Sequence, residues 1–336
     1  NILRRIVSHG SRTAVVDRHG TFTYNQVNAL ASSLSSKLRP HLKDKNNSAS
    51  SRQPCVAYLC PRDHTYLAAQ WGSWHAGAVA VPLSDSYPTD DLHYLLQDSK
   101  AMAVIAHHGN QDVIRPAAER LGVPIVVVNE YDQKTVGAAD TTVPSDLGEN
   151  ALIVYTSGTT GRPKGVLVRH EALETQITAL VKAWEWVPED RILSVLPLHH
   201  VHGIVAVQLC AAWVGATAEM LPKFDAAVTW QRLTRGGSDR LSLFMAVPTI
   251  YAKLLDLYDA QPPAGRAAME QGLRGLRLMV SGSAALPEPL ARRWEQVWGQ
   301  RLLERYGMTE FAMALSNPLH GARRLGSVGL PLPGYE

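Results

Sequence analysis

An α/β architecture made of two doubly wound sheet subdomains is what this sequence predicts, and three observations predict it. Short apolar, β-branched runs alternate with helical patterns along nearly the whole chain, which is the rhythm of parallel sheets covered by helices on both faces. The 336 residues are 46% hydrophobic, enough for one large core or two medium ones. From about 130 to 149 the composition turns polar and acidic, with Gly, Asp, Thr and Pro scattered through it. That change divides the chain into an expected first subdomain, 1–140, and a second, 141–336.

In the first subdomain CVAYLC (55–60) reads as a strand and HTYLAAQWGSWHAG (64–77) as a helix that buries Leu67, Trp71 and Trp74. VAVPL (79–83) is the next strand. TDDLHYLLQDS (89–99) follows as a helix, with Thr89 as its expected cap and acid in its first turn. AMAVIA, DVIRPAAERLG and VPIVVV repeat the strand–helix–strand order, and KDKNNSASSRQP (43–54) reads as a polar surface loop. His107 and His108 end a strand and are expected to be solvated. In the second subdomain ALIVYTS is a strand, 169–186 a helix, ILSVL a strand, 203–213 a helix and ATAEML a strand. SLFMAV, LRLMVSG and RLLERYG complete the strands, separated by helices near 248–258 and 287–298.

Net charge is 33 minus 30, or +3, with no dense Lys/Arg block, so neither nucleic acid nor an anionic membrane is implied as a partner. The longest apolar runs, such as Val123 to Val128, are far too short for a transmembrane segment. Three sparse cysteines, Cys55, Cys60 and Cys210, suit a reducing compartment. The chain begins at Asn1 rather than Met, so a targeting segment is expected to have been removed from it.

Residues 156–165, TSGTTGRPKG, follow the strand ALIVY and precede a helix expected near His170. Glycines let backbone N–H groups approach an anion, the hydroxyls of Thr156, Ser157, Thr159 and Thr160 donate further bonds, and Arg162 and Lys164 add positive charge. A polyphosphate fits that set. The Walker A pattern does not: Arg162 and Pro163 separate Gly161 from Lys164, and no Ser/Thr follows the lysine.

This stretch resembles the phosphate-binding signature of the adenylate-forming superfamily, which includes acyl-CoA synthetases, luciferases and peptide-synthetase adenylation domains. Further landmarks come in that superfamily's order: LPLHHVHG (196–203), MVSGSAALP (279–287) and ERYGMTE (304–310). The resemblance covers essentially the whole chain and implies the large N-terminal domain of such an enzyme. Its small C-terminal domain, with a catalytic lysine, and the ribose-binding aspartate before it are expected to be absent, so full turnover by this chain alone is not expected. HHVHG together with ERYGMTE, FMAVPTIY and GSAALP is most similar to the malonyl-CoA synthetases, whose eukaryotic members are mitochondrial, plastidial or cytosolic.

The resemblance implies an ATP-dependent acid:CoA ligase for malonate or methylmalonate. The acid's carboxylate attacks ATP to give an acyl-adenylate, and coenzyme A then displaces AMP. It assigns the ATP phosphates to Lys164 and to Thr156, Ser157, Gly158, Thr159, Thr160, Gly161, Arg162 and Pro163. The rest of the nucleotide falls to Gly282, Ser283, Ala284, Glu304, Tyr306, Gly307 and Thr309, and Mg²⁺ to Glu310, an oxygen ligand suited to a hard cation. His200 lies where the superfamily's histidine borders the acyl and thiol channels. His202, Ser281, Arg305 and Met308 fall on the acid. A zinc reading of His199, His200 and His202 lacks companion ligands at the usual spacing.

Arg305 discriminates most. A fatty-acid pocket avoids a buried charge, whereas a guanidinium grips a second carboxylate with two parallel bonds. The competing structural reading is an ion pair with Glu304. Two other functions stay open: a ligase for short or medium monocarboxylates, and an inert nucleotide-binding fragment.

Overall fold

The computed structural model describes residues 1–43, 52–130, 132, 142–156 and 161–335, and the chain divides into two compact units. The first is Asn1–Glu174 with Leu198–His200; the second is Thr175–Pro197 with Val201–Glu336. The division therefore falls some thirty residues later than the sequence boundary at 140/141, for a reason of strand pairing given below. Half of the polar stretch expected as a boundary, and most of the 43–54 loop, lie outside the described residues.

In the first unit the strands are β1 (Thr13–Asp17), β2 (Gly20–Thr23), β3 (Cys55–Leu59), β4 (Val79–Pro82), β5 (Ala101–His107), β6 (Ile125–Val128), β7 (Asn150–Thr156) and β8 (Lys164–Arg169). The first two form an antiparallel hairpin. The others make a six-stranded sheet in the order β6-β5-β3-β4-β7-β8. All pairs in it are parallel except β7 with β8. Every residue of β3 and β4 is buried, as expected of strands covered by helices on both faces. β7 joins β4 in parallel and carries β8 with it, which moves the unit boundary past residue 169. β8 is the exposed edge, and its alternating pattern and terminal Lys164 and Arg169 blunt it.

Helix Thr89–Ser99 forms as the sequence predicts, but Thr89 is its first helical residue and not its cap. The cap position is Pro88, which has no side-chain bond to give. A true capping box opens helix Tyr24–Leu38: Thr23 Oγ1 accepts from the Gln26 N–H, and Gln26 Oε1 accepts from the Thr23 N–H at 2.8 Å. That helix packs on helix His64–His75. The approach is so close that a Cβ on Gly72 would sit 2.8 Å from the Ala31 carbonyl oxygen. His107 is buried, contrary to the sequence reading. It accepts from the Gly109 N–H at Nδ1, so its Nε2 carries the hydrogen and donates to Glu130 at 3.2 Å.

The second unit's strands are β9 (Arg191–Ser194), β10 (Thr217–Met220), β11 (Leu243–Ala246), β12 (Leu278–Ser281), β13 (Leu303–Met308), β14 (Ala312–Ser316) and β15 (Leu330–Pro331). Their order is β15-β14-β13-β12-β11-β9-β10, parallel from β13 to β10 and antiparallel from β13 to β15. A ladder of rings fills one side of its core: Phe244 against Tyr251 at 5.8 Å, Tyr251 against Trp294 at 5.2 Å, Trp294 against Trp230 at 5.7 Å. Each polar tip is satisfied, Tyr251 by the Val280 carbonyl, Trp294 by that of Tyr251 and Trp230 by that of Leu254. The helix expected over 203–213 is wound as a π-helix at His202–Leu209, then as an α-helix at Cys210–Val214. π-turns collect at functional sites.

Gly72→Ala is expected to destabilise the first unit by about 1–3 kcal/mol, because backbone rather than a flexible side chain must move. Thermal unfolding of the variant measures it. An unchanged Tm would show that the two helices are less closely packed than described.

Candidate functional site

In the first unit TSGTTGRPKG is the connection of a hairpin, β7 to β8, and not a turn from strand into helix. Thr156 is the last residue of β7 and pairs with Lys164, the first of β8. A strand thus intervenes before the helix His170–Ala183. Ser157, Gly158, Thr159 and Thr160 lie outside the described residues. Gly161 has φ +152°, which glycine alone adopts readily. Arg162 lies 5.0 Å above the Tyr94 ring, and the Pro163 carbonyl accepts from the Tyr94 hydroxyl at 3.0 Å, so the outgoing arm of the loop is anchored. Lys164 is exposed, with its ammonium available to an anion. The same unit holds His200, exposed, its ring 4.3 Å from that of His199. Desolvation lowers the pKa of both, His199 to about 4, so both are neutral near pH 7.

In the second unit the remaining residues gather at the carboxyl ends of β12 and β13, where open α/β sheets bind ligands. Ser281 ends β12, and its buried hydroxyl has no hydrogen-bond partner among the described residues. Ser283 holds a left-handed backbone, φ +67°. Its Oγ lies 3.2 Å from His202 Nδ1 and accepts from Arg305 Nη2 at 3.1 Å. Ala284 beside it is exposed. Gly282 is required here: a Cβ would sit 2.5 Å from Arg305 Nε and 2.6 Å from its Cζ.

Arg305 is 4% exposed, and it meets no carboxylate among the described residues. Its Nε is buried without an acceptor. Burial alone pulls its pKa down to about 10, which still leaves it charged at neutral pH. Since that folded-state value lies below the free one, the cost is present in full below about pH 10 and is relieved only above it. The other buried arginine of this unit, Arg232, is forked onto Glu219, and the half-buried Arg277 onto Asp190. The ion pair of Arg305 with Glu304 does not form. Neighbours on a strand point to opposite faces, and the buried Glu304 carboxylate takes the N–H groups of Leu286 and Gly326 instead.

Beyond Arg305 a bulge at Tyr306/Gly307 interrupts the β13–β14 ladder and re-aims the strand end. Tyr306 presents 47% of its surface, beside Phe311 at 6.0 Å, and Met308 is exposed. Thr309 and the exposed Glu310 occupy the turn between the strands. Sequence reasoning placed these residues but missed the Ser283 bridge, whose partners are 81 and 22 positions away. No local pattern announces such a contact.

A βαβ sheet in each unit, an anchored glycine-rich connection and an aromatic–Gly–x–Thr–Glu turn define a nucleotide-handling class, and the chain belongs to the AMP-binding enzyme family, whose sequence model matches residues 3–336. Relatives narrow this. The chain is 43% identical over 346 residues to the mitochondrial malonate–CoA ligase ACSF3 of Homo sapiens, covering 100% of this chain and 59% of that protein. It is 39% identical over 291 residues to the malonate–CoA ligase of Arabidopsis thaliana, covering 81% and 47%. Among solved structures, ATP-bound MatB from Rhodopseudomonas palustris superposes with a TM-score of 0.85 at 28% identity, covering 99% of this chain and 65% of that one. A malonyl-CoA ligase in ternary product complex with methylmalonyl-CoA and AMP gives 0.82 at 32% identity, covering 97% and 64%. This chain thus spans about three-fifths of the relatives' length. No helix among the described residues is long and apolar enough to cross a membrane.

Gly282→Ala is expected to cost about 1–3 kcal/mol by pressing on the guanidinium, and little when combined with Arg305→Ala. A double-mutant cycle by chemical denaturation measures the coupling. Additive losses would mean that Gly282 serves the backbone and not Arg305.

Proposed function

We propose that the protein is an ATP-dependent acid–CoA ligase whose acid is malonate or methylmalonate. The observation that carries this reading is the guanidinium of Arg305, buried, charged and without a carboxylate among the described residues. A dicarboxylic acid brings the missing anion in its distal carboxylate and leaves the other carboxylate to react. His202, which shares the Ser283 hydroxyl with Arg305, supplies a second polar group for that carboxylate, and Met308 is assigned to the acid with it. The Ser281 hydroxyl, in register with Glu304, points to the other face of the sheet.

In the first step a carboxylate oxygen of the acid attacks the α-phosphorus of ATP. The bond to the bridging oxygen breaks, and pyrophosphate leaves with its electrons. Two anions must meet, so catalysis rests on cations and donors around the phosphates. Lys164 and the 156–163 connection serve that role, and Thr309 donates to the α-phosphate. Tyr306 offers its exposed face to adenine, with Gly282 to Ala284 and Gly307 permitting backbone approach. Glu304, its carboxylate already engaged, contributes through its place on β13. The exposed Glu310 carboxylate, a hard oxygen donor without an ion-pair partner among the described residues, fits Mg²⁺, which when bound neutralises phosphate charge. In the second step the coenzyme A sulfur attacks the acyl carbon and AMP leaves. Neutral His200 sits in the segment assigned to the acyl and thiol paths. The likeness to ACSF3 supports a mitochondrial location, which imaging of the tagged full protein tests.

The test is pyrophosphate release with malonate, methylmalonate and butyrate, using a polypeptide of the relatives' full length. Arg305→Leu is expected to lower malonate turnover by two to four decades, since losing one partner of a buried pair costs about 3–5 kcal/mol. Butyrate turnover should change far less. Equal losses for the two acids, or butyrate as the preferred substrate of the unaltered protein, would overturn the reading. Lys164→Ala is expected to weaken ATP use and to leave acid binding intact; an unaltered KM for ATP together with an unaltered rate would remove that residue from the phosphate site.

A further inference from the structure

The turn that carries Thr309 and Glu310 is backbone-strained, and two side chains from outside it grip it. Thr309, Glu310 and Phe311 connect β13 to β14, and Ala312, where β14 begins, holds a left-handed backbone, φ +54°. A residue with a Cβ adopts that conformation at a cost. Gly307 lies so close across the ladder that a Cβ on it would collide with the Ala312 carbonyl. Such a geometry persists where its surroundings fix it.

Gln176, on the helix His170–Ala183, is 2% exposed. Its Oε1 accepts from the Met313 N–H at 2.9 Å. The Tyr335 hydroxyl lies 2.8 Å from the same oxygen and 3.1 Å from the Phe311 carbonyl, so its one hydrogen is shared between two acceptors. An amide and a phenol thus hold the backbone on both sides of Ala312. Tyr335 reaches this point because the Leu332 N–H donates to the Ala314 carbonyl at 2.8 Å, and the Tyr335 N–H to that of Leu332 at 3.0 Å. The grip has a cost at the other end of the amide: Gln176 Nε2 is buried without an acceptor among the described residues. Turning the amide over would set its NH₂ against the Met313 N–H, so the orientation is fixed. An apolar side chain of the same size would leave no such orphan. Core packing therefore does not account for a glutamine at 176, and the hold on the turn does.

We propose that Gln176 and Tyr335 are positioning residues, which fix the Phe311–Met313 backbone and thereby aim Thr309 and Glu310 at the phosphates of Mg·ATP. The inference rests on the ligase function proposed above.

Calorimetric titration of Mg·ATP and of malonate into a polypeptide of the relatives' full length tests this, with the Mg²⁺ dependence of pyrophosphate release as a second readout. Gln176→Met keeps the side-chain length and removes the acceptor. Tyr335→Phe, at a half-buried position, removes only the hydroxyl and guards against a methionine variant that does not fold. Each is expected to raise the Kd for Mg·ATP, and the half-saturating Mg²⁺ concentration with it, by about three- to tenfold. The Kd for malonate should stay unchanged. The double variant should be no worse than the worse single one, since both act through one contact. Gln176→Glu, which keeps an acceptor for both donors, should restore the wild-type Kd. Wild-type values in both single variants, or equal weakening of Mg·ATP and malonate, would overturn the positioning role and leave the ligase function standing. An unaltered protein that neither binds Mg·ATP nor releases pyrophosphate would remove that function, and this inference with it.

Discussion

A guanidinium withdrawn from water needs an anion and acceptors for its N–H groups, and at Arg305 the second unit supplies no carboxylate among the described residues. Arg232 and Arg277 are each forked onto a carboxylate. Arg305, more deeply buried than either, has one hydroxyl, Ser283, and an Nε without an acceptor among the described residues. A pKa pulled from 12.5 to about 10 corresponds to roughly 3 kcal/mol of unrelieved desolvation. The surroundings keep the charge in place and do not relieve it. Gly282 clears room for the side chain, and the left-handed Ser283 directs its hydroxyl at Nη2. Glu304, the acid nearest in sequence, is tied to backbone N–H groups on the far face. Strain of this kind is retained where a ligand relieves it.

The same logic gives the chemistry its division of labour. In the proposed reading substrate discrimination rests on a fixed, desolvated charge, because a buried cation rejects an acid that lacks the second anion more strongly than an apolar pocket rejects an extra methyl group. That asymmetry predicts sharp selection of dicarboxylates over monocarboxylates and weak selection between malonate and methylmalonate. Phosphate handling in that proposed reading rests on more accessible groups instead: the exposed Lys164 at a strand edge, and the exposed Glu310 and half-buried Thr309 in a turn. These remain hydrated until the ligand arrives, and their contribution is therefore sensitive to salt in a way that Arg305 is not.

Most strands were legible because burial on both faces writes a continuous apolar run, as in CVAYL and LIVY. The site motifs were legible because TSGTTGRPKG and YGMTE are contiguous and their residue types have few other uses. What escaped depends on distance or on competition. The boundary moved from 140 to 174 because β7 and β8 pair with a sheet begun nearly a hundred residues earlier. β8 itself, KGVLVR, was passed over because an edge strand alternates and its length is slight. The Thr89 cap failed because Pro88 fixes the entry, while the box at Thr23 and Gln26 was a readable local signal that went unread. His107 reads as solvated in the sequence because Glu130, which accepts from it, lies 23 residues on, just past the end of β6.

The central claim is that the fold holds Arg305 as an uncompensated charge for a ligand's distal carboxylate. Calorimetric unfolding of the wild-type chain and of Arg305→Met, each with and without malonate, tests it directly. Methionine keeps the volume and removes the charge. The account predicts that, without malonate, the variant melts above the wild type, and that malonate raises the Tm of the wild type alone. A variant that melts lower and is still stabilised by malonate would contradict it.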